Sequence, residues 1–429
     1  MKKKVYMVMI TEIIHHAHIN IINKGAQMGE LTLGVYSDAA LEKLGRIPIM
    51  KLEERMAVFR SLNGVSNVIA QDELDYTTNL RMLKPDIVLR GDNWPDELKE
   101  ARLRIIEVLK ECGGELIEVP VTKNVSADNT FNKILKIGHL PEVRRRKLNY
   151  YLNSRPIVRI IEAHNGLTGL IAEHTTVEIN GEVRGFDGIW ISSLCDSTAK
   201  GKPDIELVDH SSRLQTIQEI LEVTTKPVIL DGDSGGLVEH FIHNLKSIER
   251  SGVSAIIIED KVGLKKNSLY GDAGQSQDTI NNFCRKISEG KKSLISKDFS
   301  IIARIESLVL NHGLDDAVTR AKAYIDAGAD GIMIHSSKKT PDEVFAFCNE
   351  YAKFGNVPLV AVPTSYNAVT EEELIKHGVK IVIYANHLIR SAFPAMKSTA
   401  ESILRHGRSY EADKFCMSIS DILELIPSE

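Results

Sequence analysis

The chain has 429 residues, 43% hydrophobic and 26% charged, with 29 Gly and 13 Pro. That length exceeds one ordinary domain, and that composition excludes disordered, collagen-like and coiled-coil classes. With 53 basic against 58 acidic side chains the net charge is −5, so no global field draws polyanions, and neither nucleic acid nor a membrane surface is expected as a partner.

Taken in chain order, apolar residues 5–10 follow Lys2, Lys3 and Lys4 and read as a buried first strand, because Thr11 and Glu12 end the run too early for a secretory leader. No stretch reaches the roughly 18 apolar residues of a membrane span. The five cysteines, Cys112, Cys195, Cys284, Cys348 and Cys416, are odd in number, scattered and without a CxxC pair. They argue against a disulfide framework and a structural zinc site, and a reducing cytoplasm is the expected location. A helical stretch at 19–28 alternates with strand-like runs at 31–36, 68–70, 87–89 and 116–119, which predicts a doubly wound parallel sheet over residues 1–137. Residues 138–155 carry the run Arg144-Arg145-Arg146-Lys147 and read as a solvated helical linker.

From residue 156 to 429 the pattern repeats eight times, with strand-like runs at 157–161, 188–192, 228–231, 255–258, 301–305, 331–334, 359–362 and 381–384, each followed by a helical segment. Eight βα units of this size predict a (β/α)8 TIM barrel, whose chemistry gathers at the C-terminal strand ends. There the second strand ends in Trp190, Ser192, Ser193 and Leu194, with Asp204 in the loop beyond. The third ends in Asp231-Gly232-Asp233, the fourth in Glu259-Asp260-Lys261, the fifth in Arg304 and Glu306, and the sixth in His335. Asp231, Asp233 and Glu259 together make a hard-oxygen set suited to Mg²⁺, which keeps several of its waters. A lone Asp at such a position would be a turn or cap residue. Arg304 is placed either for a structural ion pair or for a phosphate or carboxylate substrate, and His335 for substrate contact. The polar segment 261–269, centred on Gly263, reads as a lid.

The run Glu259-Asp260-Lys261 with Lys265, Asn267, Ser268 and Leu269, together with Glu162-Ala163-His164-Asn165-Gly166-Leu167 and Asp231-Gly232-Asp233, resembles the phosphoenolpyruvate mutase group of the phosphoenolpyruvate mutase/isocitrate lyase superfamily. The resemblance spans about residues 155–412. It implies transfer of a phosphoryl group between the enol oxygen of phosphoenolpyruvate and carbon 3, giving phosphonopyruvate, the first step of phosphonate biosynthesis. It further implies Mg²⁺ bound by Asp231, with Asp233 and Glu259 acting through metal-bound waters. Ser192, Ser193 and Leu194, helped by Arg304 and His335, would hold the phosphoryl group, and Trp190 would pack on the substrate. Asp204 falls where the family has a carboxylate beside the reacting centre, while Lys265 and Asn267 would close over the substrate. Lyases of the superfamily carry a catalytic cysteine in this loop, and residues 261–270 contain none. Phosphonopyruvate hydrolase, the alternative reading, typically has threonine where this chain has Asn267. The last helix of the family commonly packs on a partner barrel, which implies a homodimer or homotetramer.

Near the N-terminus, His15-His16-Ala17-His18 resembles the HxGH motif of cytidylyltransferase-like nucleotidyltransferases, with His15 and His18 on the motif histidines. Such a pair at a helix start can face a phosphate. Residues 34–38 and Arg90-Gly91-Asp92-Asn93-Trp94 resemble later strands of that fold, and Ser126 and Thr130 stand where its second signature lies. Ala17 replaces the motif glycine, and a Cβ there obstructs close approach of a phosphate. Two readings of this domain therefore stand: a cytidylyltransferase using CTP, or a module that binds or docks without catalysis.

Overall fold

Strand β1 (Lys4–Met9) is buried at every residue after Lys4, as expected of a parallel strand covered on both faces. In the computed structural model it lies at the centre of a five-stranded parallel sheet with β2 (Glu30–Tyr36), β3 (Val65–Gln71), β4 (Ile87–Gly91) and β5 (Glu115–Val119), in the order β3-β2-β1-β4-β5. The structure describes residues 2–9, 14, 16–44, 48, 50–92, 94, 98–120, 139–179, 182–263, 265–266 and 274–426. One face of the sheet packs Met7, Leu33 and Leu89, and the other packs Tyr6, Val88, Leu80 and Ile105. Tyr6 fits because residue 34 is glycine: a Cβ there would lie 2.1 Å from the phenol oxygen. That phenol donates to Gln71 Oε1 at 2.5 Å and accepts from Asn79 at 3.1 Å, so this buried hydroxyl is satisfied. The doubly wound sheet is as the alternation predicts. It forms one compact unit, Met1–Ile134, and Leu135–Glu429 forms the other.

The second unit begins its barrel with β6 (Val158–Glu162), followed by an antiparallel ribbon of β7 (Thr176–Ile179) and β8 (Glu182–Gly185). Then come β9 (Gly188–Ile191), β10 (Val228–Asp231) and β11 (Ala255–Glu259), and a second short ribbon of β12 (Lys261–Val262) with β13 (Ser276–Gln277). The set ends with β14 (Ser300–Ile305), β15 (Gly331–Ile334), β16 (Leu359–Ala361) and β17 (Val379–Tyr384), which pairs back onto β6. Strands β6, β9, β10, β11, β14, β15, β16 and β17 close the barrel in sequence order, the TIM barrel that eight apolar runs imply. The register sets Glu259 beside Arg304 and Asp231 beside Ile257, so the polar strand ends share one rim. Among the described residues no helix is long and apolar enough to cross a membrane.

The basic run after residue 143 corrects the expectation of a solvated linker. Helix Pro141–Ser154 lies in the barrel unit and buries Arg144, Arg145, Leu148 and Tyr151. Arg144 donates to the carbonyls of Thr224 (2.7 Å) and Leu221 (3.2 Å), and Arg145 to that of Glu249 (2.6 Å). These carbonyls lie at or just past the ends of helices His210–Glu222 and Val238–Ser251, where free backbone acceptors and the negative dipole end attract cations. The guanidinium groups therefore fasten the end of the barrel remote from the mouth. Arg144→Met keeps the apolar stem but leaves those carbonyls unpaired, and it should lower stability to urea by about 1–3 kcal/mol; an unchanged unfolding midpoint would contradict this role.

Candidate active site

The rim of the barrel encloses a cavity of about 550 Å³, part of it open to solvent. Its lining includes Trp190, Ser192, Ser193, Leu194, Asp204, Asp231, Glu259, Lys265, Arg304 and His335. Thus strand ends far apart in sequence deliver their polar residues to one place. Strand β9 ends at Ile191; Ser192 then caps the next short helix, its hydroxyl accepting from Cys195 N at 3.4 Å. Ser193 turns back to the neighbouring strand, its amide (3.1 Å) and hydroxyl (2.9 Å) both donating to Asp231 Oδ2. These two donors, expected on a substrate phosphoryl group, therefore orient a carboxylate here.

Asp233 follows β10 in a left-handed conformation, φ +52°, and accepts from Lys265 on one oxygen and from Arg213 on the other (2.7 Å). Lys265 also bonds Asp204 at 2.7 Å and donates to Ser193 Oγ. Burial alone would lower this ammonium's pKa, but Asp233, Asp231 and Asp204 raise it above its ordinary value, so it stays charged. For Asp231, burial resists ionisation, yet Lys265, Arg304 and Arg213 outweigh it and hold the carboxylate below its usual range. For Asp233 burial wins and the pKa rises despite Arg213 and Lys265.

Across the rim, Arg304 donates to Glu306 Oε1 at 2.5 Å and lies 3.4 Å from Glu259 Oε2. Lys261 lies 3.2 Å from Glu259 and 3.5 Å from Glu306. Burial pushes Glu259 up to about 7 against the pull of Arg304, with Glu306 adding repulsion. His335 is 5% exposed; burial first, and then Arg304, lowers its pKa to about 3, so the imidazole is neutral. Its Nδ1 has no hydrogen-bond partner among the described residues.

The donor chemistry suits a divalent cation. Asp233 and Glu259 are buried and Asp204 and Asp231 half-buried oxygen donors, and an ammonium already lies between two of them. Among the described residues no three His, Cys, Asp or Glu side chains converge to ligate one ion directly. An ion held here would take one or two of these carboxylates and complete its shell with water, the habit of Mg²⁺.

Asn267, His15, Ser126 and Thr130 lie outside the described residues. His18 is half-buried on helix His16–Met28. At the end of β4, the Arg90 guanidinium lies 4.0 Å from the Trp94 ring centroid and also bonds Tyr76. Several cavity residues escaped the sequence reading: Met333, Val362, Thr364 and Asn386. Arg213 escaped it too, although a signal existed: Arg213, Thr216, Ile217, Ile220 and Leu221 form the buried stripe of their helix, and an arginine on an apolar stripe needs a buried partner.

Residues 149–404 match the family model described as phosphoenolpyruvate phosphomutase, and residues 12–135 the one described as cytidylyltransferase-like. A phosphoenolpyruvate phosphomutase of Tetrahymena pyriformis is 36% identical over 280 residues, which cover 65% of this chain and 90% of that protein. The crystal structure of a phosphoenolpyruvate phosphomutase from Streptomyces platensis subsp. rosaceus superposes with a TM-score of 0.61 at 33% identity, over 66% of this chain and 94% of that one. A phosphonopyruvate hydrolase in complex with oxalate and Mg²⁺ is as near, with a TM-score of 0.59, 35% identity and the same coverages.

The neutral His335 gives a pH prediction. The unfolded chain protonates this imidazole below about pH 6.5, the folded barrel only below about 3. Stability present above pH 6.5 is therefore lost as the pH falls toward 3, at up to about 1.4 kcal/mol per unit from this one group. Urea unfolding of wild type and His335→Asn at pH 7.5 and 5.5 should show the smaller acid-side loss in the variant; parallel pH profiles would contradict the assignment.

Proposed function

The chain belongs to the phosphoenolpyruvate phosphomutase family, and from that premise we propose that its barrel is a Mg²⁺-dependent mutase interconverting phosphoenolpyruvate and phosphonopyruvate. The observation that carries this reading is the shared cavity, where a buried carboxylate cluster faces Arg304 and a neutral His335. In the reaction the bond from phosphorus to the enol oxygen breaks and a bond from phosphorus to carbon 3 forms. The enol oxygen becomes the ketone of phosphonopyruvate, and no proton is gained or lost.

Asp231 would hold Mg²⁺, helped by Asp233 and Glu259, and the ion when bound would neutralise charge on the enolate and phosphoryl oxygens. Arg304, fixed by Glu306, gives the phosphoryl group a guanidinium of permanent charge and set direction. His335, held neutral, donates one N–H without adding a mobile proton, which suits a reaction that transfers none. Ser192, Ser193 and Leu194 border the phosphoryl position, and Trp190 packs on the substrate. Asp204 and Lys265, paired at 2.7 Å, stand beside the reacting centre. Phosphoryl transfer of this loose kind asks for positioning and electrostatic stabilisation, and for exclusion of water. Asn267 would complete that closure. If water enters instead, the products are pyruvate and phosphate, the hydrolase reading, which the equally near phosphonopyruvate hydrolase keeps in view.

A second copy of the chain is the partner this reading includes. Helix His387–His406 buries none of its residues, and Phe393, Met396 and Leu404 are 67%, 62% and 83% exposed. On the barrel, Leu167 and Ile171 of helix Gly166–His174 are exposed as well. Apolar stripes of this kind are covered by a partner more often than left to water. For the N-terminal unit the reading is a nucleotidyltransferase-like module, with CTP as its candidate nucleotide, and a cytoplasmic setting is retained for the whole chain.

Two outcomes test these assignments. Asp231→Asn removes the ionised ligand at nearly constant volume and should lower turnover of phosphonopyruvate at least about a hundredfold with the barrel still folded; near-wild-type turnover would refute the site. Phe393→Asp with Met396→Asp should shift the sedimentation-equilibrium mass toward a single chain, and an unchanged mass would refute the packing role of that helix.

A further inference from the structure

Behind the carboxylates lies a residue that the cavity does not include. Arg213 projects from helix His210–Glu222, is 9% exposed and is absent from the cavity lining. Its guanidinium donates to the backbone carbonyl of Asp231 at 2.6 Å and to Asp233 Oδ2 at 2.7 Å. We propose that Arg213 is a positioning residue for the divalent-cation site, one planar fork fixing the end of strand β10 and the side chain of Asp233 together. The inference rests on the reading that the barrel mouth takes Mg²⁺.

The local backbone supports this role. After Asp231 the chain leaves the barrel wall: Gly232 N still donates to Ile257 O at 2.7 Å, and Asp233 O accepts from Glu259 N at 2.8 Å. Between those bonds Asp233 adopts a left-handed conformation, φ +52°, which an aspartate reaches more readily than most residues with a Cβ but which its surroundings must still determine. Arg213 supplies that determination from the side away from the cavity. It also divides the labour of the Asp233 carboxylate, with Oδ2 held at the rear and Oδ1 turned to Lys265 in the mouth. Asp231 is fixed in the same way, its carbonyl by Arg213 and its carboxylate by Ser193. A lysine carries the charge but has no rigid fork, so it does not fix the two acceptors in one plane at a set spacing.

The test uses Mn²⁺ alone as the probe, with free ion followed by electron paramagnetic resonance on the full chain. Arg213→Lys and Arg213→Gln should each weaken Mn²⁺ binding at least tenfold. Arg144→Met, which loosens the barrel at its other end, should stay within twofold of wild type and so separates positioning from a general loss of stability. Wild-type affinity in both Arg213 variants overturns the inference, and full recovery in Arg213→Lys overturns the role of the fork. A wild-type chain that binds Mn²⁺ but leaves phosphonopyruvate unchanged refutes the mutase and hydrolase readings, while the binding ratio still decides the role of Arg213. A wild-type chain that binds no Mn²⁺ overturns both.

Discussion

Asp204, Asp231 and Glu259 line one cavity with Asp233 next to it, and like charges gathered so closely stay ionised only with cations held beside them. The barrel supplies those cations from different elements: Lys261 and Lys265 after β11, Arg304 from β14, and Arg213 from a helix outside the wall. The result is graded. Asp231 is held ionised, Asp233 is pushed up, and Glu259 reaches about 7. On the reading proposed above, a divalent cation joins this cluster without contacting every carboxylate.

The rest of the barrel keeps that balance in place. Ser193 aims Asp231 across from the neighbouring strand, and Glu306 holds the Arg304 guanidinium. Buried arginines at the other end, Arg144 and Arg145, tie helix Pro141–Ser154 to carbonyls at or beyond two helix ends. His335 is neutral because burial, and after it the charge of Arg304, lowers its pKa, so it contributes a dipole rather than a charge. Ser193, Asp231, Arg304 and Glu306 are each held by a partner, which makes the mouth stiff before any substrate arrives, the condition under which electrostatic stabilisation is most effective.

Both folds were legible because their signal is periodic. Alternating strand and helix runs predicted the parallel sheet, and eight apolar runs predicted the closed barrel, each run beginning and ending within a few residues of the observed strands. The acids at strand ends were legible because the fold class says where to look. The ribbon of β7 and β8 was missed although Asn180-Gly181 is a strong hairpin signal in the sequence. Arg144 and Arg213 were hard for a different reason. Arg144 was read by its charge as solvent-facing and Arg213 was not singled out, whereas their spacing to Leu148 and Tyr151, or to Ile217 and Ile220, places them on buried stripes. Periodicity had the answer in both cases, but the partners, backbone carbonyls and Asp233, are set by tertiary structure and leave no trace nearby in sequence.

The most direct test of the central claim is phosphorus NMR of the purified chain with Mg²⁺ and phosphonopyruvate, since the enol phosphate, the phosphonate and inorganic phosphate give separate signals. The account predicts conversion to phosphoenolpyruvate that stops when the metal is chelated. Accumulation of inorganic phosphate with pyruvate, and no phosphoenolpyruvate, would contradict it.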